Sequence, residues 1–175
     1  MTKKSVALII PIGVLLIAGL AYGGVWWLGL DTHDDEPHWH AAFKVYLDGQ
    51  PVDFSDAKFM HIEPCSDEDI KEEATSPEHE QIEKAHLHDG IGDVVHVHRE
   101  GAVWRDLFEN LSYAFESPPV GYRDGQKIDS ILNEPIKIYD RVLFVIGETS
   151  ELDALAASVL SVKRIKEVET QGESC

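Results

Sequence analysis

Residues 85–98 read AHLHDGIGDVVHVH, two short alternating runs on either side of Asp89-Gly90-Ile91-Gly92-Asp93. Glycine supplies the backbone angles of a tight reversal and aspartate bonds to nearby amides, so the spacing predicts a β-hairpin. Side chains on a strand alternate between its two faces. His86 and His88 therefore share one face of the first arm, and Val94, His96 and His98 share one face of the second. Leu87, Val95 and Val97 fall on the opposite, apolar face, so the alternation that buries a stripe also gathers four imidazoles on the other side.

Upstream, residues 38–47 repeat the pattern: Trp39, Ala41, Phe43, Val45 and Leu47 make an apolar face, and His38 and His40 take the other. Asp48-Gly49 is a hairpin signal, with residues 51–54 as the return strand. Residues 59–65 form a brief predicted strand with His61, Glu63 and Cys65 on one face. Residues 66–84 are dominated by charge and read as an exposed excursion with one or two helical turns, His79 among them.

Downstream, Val103, Leu107, Leu111 and Ala114 form a helical stripe flanked by Trp104 and Phe108. Pro118-Pro119 makes residues 115–122 irregular, and Arg123-Asp124-Gly125-Gln126 is a turn. Residues 136–139 and 142–146 read as strands joined at Asp140-Arg141, the second apolar enough to be central. Residues 151–168 read as a closing helix lined by Leu152, Leu155, Val159 and Val162. This order implies an α+β domain: a mostly antiparallel sheet of hairpins, one packed amphipathic helix and a C-terminal helix. It also permits a β-grasp-like topology.

The amino terminus has a different character. Lys3 and Lys4 precede an uncharged, largely apolar run through Leu30, longer than the roughly 20 residues a membrane-spanning helix requires. Residues 1–30 thus read as an N-terminal transmembrane anchor, residues 31–37 as an acidic linker and residues 38–175 as the folded domain. The lysines orient the N-terminus to the cytoplasm and the domain outside it, with Trp26 and Trp27 at the outer interface. Gly19-Leu20-Ala21 would also serve as a signal-peptidase site, but the apolar run continues beyond it. Both readings export the domain.

The chain of 175 residues has a formal net charge of −17, and without Lys3 and Lys4 the remaining 13 basic and 32 acidic residues give −19. Such a balance argues against nucleic acid and anionic headgroups and favours cations or a basic partner. Cys65 and Cys175 are the two cysteines, too few for a CxxC motif or a four-cysteine zinc site, and in an oxidising compartment they could pair.

Three His-x-His pairs, His38/His40, His86/His88 and His96/His98, stand on strand-like segments, and His61 and His79 add ligands. Neutral imidazole ligates zinc, copper, nickel and iron, and His-x-His on a strand sends two rings to one side. The metal set read from the sequence is His86, His88, His96 and His98 first, His38 and His40 second, then His61. Nitrogen-rich ligation suits copper(II) or zinc. Two alternatives use the same histidines: a metal-dependent enzyme with Glu63, Asp89 or Asp93 as acid or base, and a metal-free surface that changes charge between about pH 5 and 8. No zincin helix, nucleophile elbow, P-loop or dinucleotide fingerprint is present.

Taken together, His38-Trp39-His40, His86-Leu87-His88-Asp89, residues 94–98 (VVHVH), Trp104-Arg105-Asp106-Leu107-Phe108 and residues 141–147 (RVLFVIG) give the chain a family likeness over residues 37–150. It resembles a group of membrane-anchored extracytoplasmic His-rich domain proteins. The resemblance implies an exported His-rich domain and assigns no activity or catalytic residue.

Overall fold

The computed structural model describes residues 37–61, 77–149 and 151–171. The anchor expected at residues 1–30, all but Pro37 of the acidic linker, Cys65 and Cys175 lie outside them. Among the described residues no helix is long and apolar enough to cross a membrane.

The domain is α+β, built on a mixed sheet of six strands. Strand β1 (Trp39–Leu47) turns through Asp48 and Gly49, both at positive φ, into β2 (Gln50–Pro51). That is the hairpin expected from Asp48-Gly49, with a return strand of two residues. Strand β3 is Val94–Val97, β4 is Val120–Arg123, β5 is Gln126–Ile128 and β6 is Arg141–Ile146. The order is β2-β1-β6-β4-β5, and β3 pairs with the first half of β1 on the edge that β2 occupies further along.

The sheet is less antiparallel than the sequence implied: its central pair, β1 and β6, runs parallel, from Ala42 opposite Arg141 to Leu47 opposite Ile146. The composition of β6 explains its place. Val142, Phe144 and Ile146 enter one hydrophobic core, while Leu143 and Val145 enter a second on the other side, so this strand is covered on both faces. β1 divides likewise, with Ala41, Phe43 and Val45 on one side and Ala42 and Tyr46 on the other.

Among the described residues four α-helices accompany the sheet: α1 (Pro77–Ile82), α2 (Trp104–Asn110), α3 (Leu152–Ala157) and α4 (Val162–Glu169). Helix α2 buries Trp104, Leu107 and Phe108 in the first core, as expected, but ends at Asn110, short of Ala114, which is exposed. Burial of each such large side chain is worth about 2–3 kcal/mol. Ile165 and Val168 of α4 close the second core.

Several expected elements form differently. Phe59, read as the start of a strand, ends a 3-10 turn (Ala57–Phe59) with no strand through His61, and residues 120–122, read as irregular, lie in β4. Residues 136–139 are a turn rather than a strand: Asp140 accepts the Lys137 amide through its carboxylate, Tyr139 sits at φ +60°, and Pro135 makes a single bridge to Val103. Ile136 is buried there while Ile138 is 59% exposed. The closing helix is broken in two, because Ser161 caps α4 by accepting the Arg164 amide and the Arg141 guanidinium takes up the carbonyls of Val159 and Leu160.

Candidate metal centre

The histidines converge because β3 lies between two partners. On one side the ladder places His40 opposite His96, and on the other His86 and His96 exchange both backbone hydrogen bonds, 3.0 and 2.9 Å. The hairpin read from residues 85–98 is thus present with its first arm reduced to this bridge. His40, His96 and His86 form a row across three chain segments. One step along, the rings of His38 and His98 stack at 4.7 Å with planes 13° apart. His88 packs on His96 at 3.6 Å, and His61, whose amide bonds the Leu87 carbonyl, lies 5.0 Å from His86.

His96 is the hub. The rings of His38, His40, His86, His88 and His98 all have centroids between 3.6 and 6.4 Å from it. The structure therefore gathers all seven histidines of the metal set into one contiguous cluster, with Glu63, Cys65 and the side chain of His79 lying outside the described residues.

Burial dominates the electrostatics. His40, His86 and His96 are each at least nine-tenths buried. Desolvation, reinforced by the neighbouring His98, His61 and His88, pulls His86 down to about 3 against the opposing pull of the Ile82 carbonyl. His96 is pushed far below the ordinary imidazole range, first by burial and then by His40 and His88. Both rings are consequently neutral at physiological pH, the state that binds metal.

Hydrogen bonds also fix which nitrogen is offered. A carbonyl can only accept, so the 3.1 Å contact from His86 Nδ1 to the Ile82 oxygen places the proton on Nδ1 and leaves Nε2 as a lone pair. The Asp89 carboxylate does the same for His88. Its Nε2 is buried and has no hydrogen-bond partner among the described residues. Behind this segment, the Asn110 side-chain amide reaches the carbonyls of Gln81, Ile82 and Ala85 at 2.7–3.3 Å and so holds the turn that delivers His86.

Among the described residues, His38, His96 and His98 form a candidate ligand set, each offering a nitrogen within 4.8 Å of the others. It joins His96 of β3 and His98 just after it to His38 just before β1, whereas the sequence placed the first four ligands within the hairpin. A tetrahedral ion 2.0–2.1 Å from each nitrogen needs ligand nitrogens about 3.3 Å apart, a closure within reach of side-chain rotation. His38 is exposed at the rim, His98 half-buried and His96 buried.

The carboxylates weighed as acid or base are placed differently. Asp89 is engaged with His88, and Asp93 lines a groove with Lys44, Asp53 and Arg164 that includes no histidine. A separate cleft of about 590 Å³, lined by Phe108, Tyr113, Phe115 and Leu132 among others, also contains none. Its concavity and the imidazole chemistry are thus in different places, and the chemistry identifies the site.

One contact had no sequence signal. Glu169, the last residue of α4, brings a carboxylate oxygen to 3.6 Å from His40 Nδ1 and accepts the Tyr139 hydroxyl at 2.9 Å. No protein-family profile, curated protein or solved structure matches the chain, and the functional reading rests on the geometry above.

Proposed function

We propose that the chain is a membrane-tethered extracytoplasmic protein that binds a transition-metal ion, copper or zinc, at the histidine cluster and captures, buffers or passes it on. The observation that carries the reading is the convergence of His38, His96 and His98 within 4.8 Å, in a cluster whose buried rings His86 and His96 are held neutral by desolvation. Nitrogen donors of this kind suit zinc and copper(II), with copper favoured in intrinsic affinity. The acidic surface draws cations toward the cluster. Exposure of His38 leaves one side of the trio open, which suits hand-over of the ion. The same opening supports a second reading, catalysis by a metal-bound water, and metal-dependent turnover of a substrate would distinguish it.

The anchor and orientation rest on the uncharged run before residue 31 and the lysines preceding it. We also read the frame as β-grasp-like, on the parallel central pair β1 and β6 flanked by the antiparallel strands β2 and β4.

Titration calorimetry of the full untagged chain in mild detergent, with zinc and then copper(II), tests the function. Saturable binding that weakens at least tenfold in His96→Ala, and not in Asp93→Asn, is expected. Absence of saturable binding, or equal affinity in both variants, would remove the reading.

A further inference from the structure

A relay leads away from His96 on the side of His40. His40 Nε2 lies 2.9 Å from His96 Nε2, so one of these nitrogens carries the shared proton and the other accepts it. Which one does so is set at the far side of the His40 ring. There Glu169 Oε1 stands 3.6 Å from His40 Nδ1, too long for a hydrogen bond but close for a charge. A carboxylate favours a proton on the nitrogen facing it and disfavours a lone pair there. His40 is then protonated on Nδ1, its Nε2 accepts from His96 Nε2–H, and His96 keeps its lone pair on Nδ1.

Glu169 is also costly where it stands. A carboxylate at the C-terminal end of a helix opposes the helix dipole, so helix stability does not account for it. Its partner is held by the same region: Tyr139 is at φ +60°, an unfavourable angle for an aromatic residue, and its amide donates to the His40 carbonyl at 2.8 Å. The Tyr139 hydroxyl donates to Glu169 Oε2, and Lys166 lies over the Tyr139 ring at 4.8 Å. One turn thus grips both the backbone beside His40 and the carboxylate that faces its ring.

We propose that Tyr139 and Glu169 are positioning residues of the metal centre: through His40 they fix the tautomer of His96 so that Nδ1 is its metal-binding nitrogen. This deepens the metal-binding reading and rests on it for its functional consequence. Outer-sphere carboxylates behind metal-binding histidines act in this way, and removing them costs 10–100-fold in affinity.

The test combines ¹⁵N NMR of the ring nitrogens in the metal-free full chain with zinc titration of the same protein. Expected in the wild type are protons on His40 Nδ1 and His96 Nε2. Glu169→Gln should redistribute both and weaken zinc 10–100-fold, and Tyr139→Phe should shift both readouts in the same direction by less. A wild-type His96 protonated on Nδ1, or a Glu169→Gln chain with unchanged ring protons and unchanged affinity, would overturn the relay. If the wild type takes up no zinc the metal reading fails by itself, and the NMR arm still decides the relay.

Discussion

Acid should unfold the metal-free domain through two particular histidines. In an unfolded chain His86 and His96 titrate near 6.5, while in the folded domain burial keeps both neutral, His86 down to about 3 and His96 lower still. Below 6.5 the unfolded state therefore binds protons that the folded state refuses. The stability these rings permit is complete above that value and is lost as pH falls, until the folded rings can protonate as well. Integrating from pH 7.5 to 5 gives about 2 kcal/mol for each ring, about 4 kcal/mol together, a large share of the 5–15 kcal/mol typical of a domain. The window ends at pH 5 because burial raises Asp93 and Asp140, whose protonation contributes with the opposite sign at lower pH. Urea unfolding with a chelator present, followed by near-ultraviolet circular dichroism across this range, measures the loss. His86→Gln should cut the pH-dependent part by about 2 kcal/mol. A loss under about 1 kcal/mol in the wild type, or an unchanged slope in the variant, would refute the reasoning.

Four further outcomes follow from the packing and the site. Gly121→Ala would place a Cβ 2.2 Å from Ile131 Cβ, both on well-packed backbone, and should lower stability by about 1–3 kcal/mol in thermal unfolding. Asn110→Ala strips the carbonyls of Gln81, Ile82 and Ala85 of their side-chain donor and should cost about 2 kcal/mol in urea unfolding. The same engagement consumes the amide of the Asn110-Leu111-Ser112 sequon, and mass analysis of chain secreted through a glycosylating host should find Asn110 unmodified. Zinc at 100 times its dissociation constant should raise unfolding free energy by about 2.7 kcal/mol, an increment that His96→Ala loses.

Local alternation made much of the domain legible. Apolar and polar positions in residues 38–47 and 85–98 assign the correct face to every histidine of the cluster except His61, and the Asp-Gly signals at Asp48-Gly49 and Asp124-Gly125 mark real hairpins. Pairing between distant strands was not legible. Nothing near His96 announces that β1, more than 50 residues earlier, is its neighbour, and that pairing is what brings His38 and His40 beside the hairpin pairs. The parallel match of β1 with β6 is hidden in the same way, although the apolar run of β6 at residues 142–146 did announce a strand covered on both faces. Residues 136–139 were misread because alternation there competes with a turn closed by the Asp140 carboxylate. Glu169 carried no signal, since one more glutamate in an acidic tail looks like solvation until the fold sets it against His40.

The most direct test of the central claim is the metal content of the full untagged chain by elemental mass spectrometry, beside a His38→Ala/His96→Ala/His98→Ala variant exposed to the same zinc and copper. The account predicts close to one or more ions per wild-type chain and little in the variant. No bound metal in the wild type, or equal metal in both, would contradict it.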